Sequence, residues 1–375
     1  MVLPLFRAAR RLRPGPISLL ALLLLALILS ACDTSTPASA NQQSGTNGST
    51  LPYTITSAPL REFPLPHANS ALMRPAVDKE GNIWFGEMNG NRLGRLNPQT
   101  QKVDEWTPPQ ANYGIMGIVA DQQNHIWFAE QNAGYIGEFF PETQTFKIYP
   151  STPRSRDGGP SGPNDLLFDQ QGNLWFTEMA ADRIGRLDIA TGELKEYALP
   201  GSDPNHAAAP YGLALDQQGN IWFGEVSGNK LVRLDPQTGA MRSYSPPTAN
   251  AGIMEVAVAP DGSIWFAEYL FGKLGRLDPK TGAMQEYAVP AIIDGSSAGG
   301  VYGLAVGPSG SIWFTDLGDN AVGQFNPSAG RFTFYPVPTA GSGPFGLAID
   351  GAKNVWFTEG SDAGNAIGVV PGTAA

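Results

Sequence analysis

The chain has 375 residues, a net charge of −10 and only 15% charged side chains. This acidic balance argues against a nucleic-acid partner, because phosphate recognition needs a face rich in Lys and Arg. The single cysteine, Cys32, excludes an internal disulfide.

The first 31 residues have the pattern of a bacterial secretory signal peptide. An arginine-rich start precedes an apolar run from Ile17 to Leu29, which is short for a membrane span. The run ends in Leu-Ser-Ala-Cys, which resembles a lipobox, so Cys32 is the predicted lipid-attachment residue. An ordinary signal peptide or an uncleaved anchor are the alternatives. The sequence thus predicts an extracytoplasmic, membrane-anchored lipoprotein.

Residues 32–56 combine the lipidated Cys with a stretch of Ser, Thr, Ala, Asn, Gln and Gly. Such a segment cannot bury a core, so a flexible tether is expected. The folded domain is predicted to span 57–375.

A Trp-Phe pair returns seven times along this domain, at intervals of 43 to 48 residues: at Trp84, Trp127, Trp175, Trp222, Trp265, Trp313 and Trp356. Strand-like phrases that repeat every 40 to 50 residues are typical of β-propeller blades. The sequence therefore predicts an all-β, seven-bladed propeller of four-stranded antiparallel blades.

Blade 4 illustrates the unit. Strands A, B, C and D are predicted at 211–216, 221–225, 230–234 and 241–245, with Pro- and Gly-containing turns between them. Glycine recurs in strand C of other blades, where it is expected to admit the next sheet. Strand direction puts the B–C and D–A loops on one face, called the top face, and the longer D–A loops make it the expected binding face.

The last blade lacks a strand D of its own. Residues 59–65 resemble the strand D phrases Lys195–Pro200 and Gln285–Pro290. We therefore predict that 59–65 complete the seventh blade and cover its open edge.

A carboxylate follows each Trp by three residues. Because it recurs in every blade, it is expected to serve the scaffold by accepting hydrogen bonds from loop amides or the strand C arginine. The series is Glu87, Glu130, Glu178, Glu225, Glu268, Asp316 and Glu359.

Function is expected where blades differ. The first residues of strand A should face the mouth of the central channel, and they are mostly Met or aromatic: Met73, Met116, Asn164, Tyr211, Met254, Tyr302 and Phe345. The next position is Gly in four blades but Arg74, Asp165 and Glu255 in the others. This predicts a ligand pocket with one cation and two carboxylates. The alternative is that these side chains only plug the channel.

The three histidines contribute little to this picture. No two have metal-ligand spacing, so a zinc site is not expected. His125 is expected to be solvated in a bottom turn, whereas His67 and His206 lie in top-face loops.

Several phrases resemble the virginiamycin B lyase, or streptogramin B lyase, family: Pro210–Leu215, Gly172–Glu178, Arg183–Leu187, Lys195–Pro200 and Glu87–Arg95. The resemblance covers about residues 59–370. It implies a seven-bladed propeller that linearises a cyclic depsipeptide antibiotic by elimination at its ester, with Mg²⁺ at the site.

At several positions the sequence departs from the family pattern. The family's functional histidines correspond to Tyr302 and Phe345, and a family Glu corresponds to Gly343. Glu359 is a weak match to a further Glu, and so a candidate metal ligand.

Two hypotheses follow. The first is a metal-dependent lyase-like or lactonase-like enzyme with Glu255 or Asp165 as base or ligand, or with Tyr302 as an alternative base. The second is a monomeric, surface-tethered propeller that binds a small molecule or a peptide on its top face.

Overall fold

The computed structural model describes residues 53–58, 60–109, 114–150, 155, 158–201, 207–293 and 300–372. The predicted signal peptide, Cys32, most of the predicted tether and His206 lie outside the described residues. The described part consists of 29 strands and one short 3₁₀ helix at Tyr269–Phe271. None of its helices is long and apolar enough to span a membrane.

Seven antiparallel sheets confirm the predicted propeller. In the order A to D, blade 1 is β3 (Ala76–Val77), β4 (Ile83–Glu87), β5 (Arg92–Asn97) and β6 (Lys102–Trp106). Blade 2 is β7 (Ile115–Ala120), β8 (Ile126–Glu130), β9 (Tyr135–Phe140) and β10 (Thr145–Pro150). Blade 3 is β11 (Pro163–Phe168), β12 (Leu174–Glu178), β13 (Arg183–Leu187) and β14 (Leu194–Ala198).

The remaining blades repeat this order. Blade 4 is β15 (Pro210–Leu215), β16 (Ile221–Glu225), β17 (Lys230–Leu234) and β18 (Met241–Tyr244). Blade 5 is β19 (Ile253–Val258), β20 (Ile264–Glu268), β21 (Lys273–Leu277) and β22 (Met284–Ala288). Blade 6 is β23 (Val301–Val306), β24 (Ile312–Asp316), β25 (Ala321–Asn326) and β26 (Arg331–Pro336). Blade 7 is β27 (Pro344–Ile349), β28 (Val355–Glu359), β29 (Ala366–Val370) and β2 (Arg61–Pro64).

Strand β2 closes the ring as predicted. It pairs antiparallel with β29, with Phe63 opposite Ile367. The Phe63 ring is buried and lies 5.8 Å from the Trp356 ring. Strand β2, near the N-terminal end of the propeller, therefore covers the edge that the last blade would otherwise expose.

An additional strand, β1 (Tyr53–Ile55), lies on the outside of blade 6 and pairs parallel with β26. The Tyr53 ring meets the Phe334 ring edge-on at 5.8 Å. Residues 53–55, which fall in the segment predicted as a tether, thus form a strand along the open edge of β26.

The Trp-Phe pair has two structural roles. In blade 1, the buried Trp84 ring donates its Nε1–H to Asp78 of the A–B turn at 2.8 Å, which fixes the turn. The Phe85 ring occupies the space above Gly94 on strand C, where a β-carbon would collide with it. Strand C glycines therefore make room for the phenylalanine of their own blade, and the expectation that they admit the next sheet is wrong.

Strand A carries a β-bulge at its upper end in blades 2 to 7. In blade 3, Pro163 pairs with Glu178 and Leu166 with Phe176, so that two residues of β11 oppose one of β12. A bulge of this kind bends the strand and redirects side chains. The residues within the bulge include Asn164 and Asp165 in blade 3 and Met254 and Glu255 in blade 5.

Candidate functional site at the axial mouth

The innermost strands bring six of the seven predicted mouth residues into one buried cluster. Tyr269, from the 3₁₀ helix of blade 5, joins it. Every member is less than 9% exposed: Met73, Met116, Tyr211, Met254, Tyr269, Tyr302 and Phe345. The seventh predicted residue, Asn164, is fully buried next to them. The mouth of the channel thus has a continuous floor of sulfur and aromatic side chains.

Arg74 connects this floor to the charged residues predicted beside it. Its Nε donates to Glu255 Oε1 at 2.7 Å, and one terminal nitrogen donates to Asn164 Oδ1 at 2.9 Å. The guanidinium also lies 4.7 Å from the Tyr211 ring centroid, within cation–π range. Side chains from blades 3, 4 and 5 therefore contact the guanidinium group that blade 1 supplies.

Asp165 lies at the edge of the same network. Its Oδ1 is 3.8 Å from Arg74 Nε. Its two carboxylate oxygens accept hydrogen bonds from the backbone N–H groups of Leu166 at 2.9 Å and Leu213 at 2.8 Å. Asp165 therefore braces the bulge of blade 3 against strand A of blade 4.

Burial and charge shift the two ends of the ion pair. Burial raises the pKa of Glu255 to about 7, with Arg74 opposing the rise and Asp165 adding to it. Burial lowers the pKa of Arg74, but Glu255, Tyr302 and Asp165 outweigh this and raise it overall. Burial and Asp165 thus act against the charge of Glu255, whereas Arg74 stabilises it.

The two family histidine positions are filled by stacked rings. Tyr302 and Phe345 lie 3.7 Å apart between centroids, and the Tyr302 hydroxyl is 2.6 Å from that of Tyr211. Burial raises the pKa of both tyrosines. A tyrosine base needs a lowered pKa, so this environment acts against a basic role for Tyr302.

A second ring of apolar residues, which the sequence analysis missed, surrounds the floor. Met88, Met179, Val226 and Leu317 are half-buried and pack on it. Each lies four residues after a blade tryptophan, as Tyr269 does. The spacing of the repeat could therefore have identified this position. Beside Tyr269, the top face also exposes Leu270, Phe271 and Ile293. These apolar side chains, together called the basin, therefore lie around a charged centre at the mouth.

The repeated carboxylates have less uniform partners than predicted. Glu87 binds Arg92 of strand C through both oxygens, at 3.1 and 2.5 Å, which confirms the scaffold role in blade 1. Glu130 is fully buried, and neither oxygen has a hydrogen-bond partner among the described residues. Burial raises its pKa to about 8. This carboxyl group is therefore mostly protonated at neutral pH.

The donors expected for Mg²⁺ do not fit the ion well. Glu359 is fully buried, and burial and then Glu62 raise its pKa to about 8. The neighbouring family positions are Gly343 and Phe345, which offer no side-chain donor. Gly343 also has φ of 64°, where a larger side chain is strained. One mostly protonated carboxyl group is a poor ligand set for Mg²⁺, which prefers several oxygen ligands.

The described histidines lie away from the mouth. His67 Nδ1 is 2.7 Å from Glu105 Oε2. His125 Nδ1 lies 3.1 Å from Glu138 Oε1, and its ring packs 4.6 Å from the Phe140 ring. The His125 side chain is 25% exposed, so it is solvated in part, and it also contacts these two residues.

The fold is thus a seven-bladed propeller with a cluster of apolar side chains at one end of its axis. The model of the virginiamycin B lyase family matches residues 58–363. The chain belongs to that family. Among curated protein sequences, none matches it significantly.

Solved structures show the same fold. A streptogramin B lyase is 28% identical, with a TM-score of 0.73, covering 83% of this chain and 96% of that one. A catalytically inactive histidine-to-alanine variant of virginiamycin B lyase from Staphylococcus aureus, with quinupristin, is 24% identical at a TM-score of 0.74, covering 84% and 99%. A gluconolactonase from Xanthomonas campestris, at 16% identity and a TM-score of 0.51 over 84% and 89%, shares the fold alone.

Proposed function

We propose that this protein is a surface-tethered binding propeller. It holds a small molecule or peptide in its top-face basin and does not break a bond in that ligand. The observation that carries the proposal is the stacked pair of Tyr302 and Phe345, 3.7 Å apart. It closes the floor at the two positions where the family has histidines. No catalytic step is assigned to Mg²⁺, because the side chains at the family's metal positions are poor ligands for this ion.

The chemistry of the basin indicates the ligand class. Met88 and Met179 offer flexible, polarisable side chains that adapt to irregular apolar surfaces. Leu270 and Phe271 add exposed apolar area at 49% and 45% exposure. Arg74 is already compensated by Glu255, so the site does not demand a charged ligand. A largely apolar molecule, such as a cyclic peptide with aromatic groups, suits this surface.

A relative supports separating binding from catalysis. The Staphylococcus aureus lyase that lacks one histidine is described as catalytically inactive and is nevertheless found with quinupristin. This chain has Tyr302 and Phe345 at the two positions where the family resemblance implies histidines. Tethering through Cys32 would place such a binder outside the cytoplasm, attached to a membrane.

The test uses the full chain with quinupristin and Mg²⁺. Elimination leaves the mass unchanged, so ring opening must be followed by chromatography and fragmentation mass spectrometry. We expect ring opening at the buffer rate only, whereas a histidine-containing lyase of the family opens the ring in parallel. Turnover by this chain would overturn the proposal and favour the lyase hypothesis, with Glu255 as the candidate base.

Calorimetry tests the site itself. Met179→Asp puts a charge in the basin and should weaken quinupristin binding at least about tenfold, or ~1.4 kcal/mol. Ala190→Asp adds the same charge at an exposed bottom turn and should leave binding unchanged. Absence of binding to the unmodified chain, or equal loss in both variants, would contradict the proposed site.

A further inference from the structure

Blade 2 departs from the repeat at the bottom A–B turn. Four blades have an Asp followed four residues later by an Asn: Asp78 and Asn82, Asp169 and Asn173, Asp216 and Asn220, and Asp350 and Asn354. In each pair the Asn amide donates to the Asp carboxylate at 2.7 to 2.8 Å. Blade 2 keeps the acid as Asp121 but has His125 in place of Asn.

The same blade also departs from the repeat on strand C. The residue opposite the blade Trp is an arginine in four blades: Arg95, Arg186, Arg233 and Arg276. In blade 2, Glu138 stands opposite Trp127. A carboxylate thus replaces a cation in the one blade that gains the imidazole. These two changes together assemble one nitrogen and two carboxylate groups.

The three side chains converge on a small volume. His125 Nδ1 lies 3.1 Å from Glu138 Oε1 and 3.5 Å from Asp121 Oδ2. One ligand atom from each residue lies within 4.8 Å of the other two. Ligands about 2.1 Å from a metal lie roughly 3.0 Å apart in octahedral and 3.4 Å apart in tetrahedral geometry. The 3.1 Å distance from Nδ1 to Glu138 lies in that range, and the 3.5 Å distance to Asp121 lies just above it.

Neighbouring groups hold the carboxylates in place. Trp127 Nε1 donates to Asp121 Oδ2 at 3.0 Å, and the Tyr149 hydroxyl donates to Glu138 Oε2 at 2.8 Å. Hydrogen bonds of this kind orient metal ligands in proteins. The side chains of Asp121 and Glu138 are 5% and 8% exposed, whereas that of His125 is 25% exposed. The cluster is therefore ordered and open to solvent on one side.

Lys147, on the neighbouring strand, forms no ion pair with this cluster in the described part of the chain. Lys147 pairs in register with Glu138, but its Nζ lies over the Tyr149 ring, 4.4 Å from the centroid. Among the described residues, His125 is therefore the basic side chain in contact with both carboxylates.

We propose that Asp121, His125 and Glu138 bind a divalent transition-metal ion such as Zn²⁺ or Mn²⁺. One imidazole nitrogen with two carboxylates favours such ions over Mg²⁺ and Ca²⁺, which prefer oxygen ligands alone. The ion clamps the A–B turn of blade 2 to its strand C. The site is independent of the axial basin, since the six residues of β7 put ~20 Å between them.

The test measures metal binding directly. The full chain, purified without a histidine tag and stripped with a chelator, is titrated with Zn²⁺, Mn²⁺ and Mg²⁺ by calorimetry. We expect one equivalent of Zn²⁺ or Mn²⁺ to bind with micromolar or tighter affinity, and Mg²⁺ at least about tenfold more weakly. The Tm should rise with the bound ion.

The matched variant is His125→Asn combined with Glu138→Arg. It restores residues that other blades carry at these positions, so it should fold, which circular dichroism checks. Binding should weaken at least about 100-fold, because two of three ligands are gone. Cys32, His67 and His206 stay in both proteins, so equal binding by the variant would assign the metal elsewhere and overturn the proposal. Absence of transition-metal binding by the unmodified chain would overturn it too.

Discussion

At the scale of single residues, the departures from the repeat carry the distinctive chemistry. Arg74, Asp165 and Glu255 were recognisable in the sequence because the equivalent position is glycine in the other blades. Their partners were not recognisable. Arg74 and Glu255 are 181 residues apart, and only ring closure makes blade 1 face blade 5 across the mouth.

Removing one end of this pair should be costly. Glu255→Ala leaves the Arg74 guanidinium buried without its closest counter-charge, so we expect a loss of ~3–5 kcal/mol in the free energy of unfolding. Urea denaturation measures this.

Glu193→Ala, at an exposed position, is the control and should change stability by less than ~0.5 kcal/mol. Replacing both Arg74 and Glu255 by Met should cost less than Glu255→Ala alone, because no unpaired charge remains. A Glu255→Ala variant as stable as the control would show that the pair contributes nothing.

At the scale of elements, the closing strand and the additional strand differ in their consequences. Strand β2 supplies the fourth strand of blade 7, whereas β1 adds a fifth strand to a blade that is already complete. The sequence predicted β2 because its phrase matches other D strands. It offered no signal for β1, whose parallel pairing depends on the free edge of β26.

The two strands can be compared by removing one aromatic ring from each. Phe63→Ala should destabilise the protein by ~3–5 kcal/mol, because the buried ring packs on Trp356 at the closure. Tyr53→Ala should cost clearly less, since Tyr53 is only half-buried. Chemical denaturation of both variants is the measurement, and equal losses would show that β1 stabilises the ring as much as β2.

At the scale of the whole molecule, buried carboxyl groups are distributed around the ring. Burial raises the pKa of Glu130, Glu178, Glu268 and Glu359 to about 8 and that of Asp316 to about 7. In the unfolded chain a Glu titrates near 4.5. Their contribution to the free energy of unfolding is therefore fully present below about pH 4.5. It is lost as the pH rises through about 8.

The free energy of unfolding should therefore fall between pH 5 and pH 8.5. Glu130→Gln keeps the shape but cannot ionise, so this variant should be more stable than the unmodified protein at pH 8.5 and show a shallower decline. Urea denaturation at pH 5.5, 7 and 8.5 measures both. An unchanged slope in the variant would mean that Glu130 ionises in the folded state as readily as in the unfolded chain.

The sequence by itself determined the number of blades, the closing strand and the residues at the axial mouth. A repeat fixes equivalent positions, so periodicity alone locates them. Only the tertiary structure decided the contacts among them: Arg74 with Glu255, Tyr302 with Phe345, and His125 with Glu138. It also decided which carboxyl groups stay protonated. These properties depend on which side chains the closed ring brings together and how far it removes them from water, and neither is encoded in the spacing of a repeat.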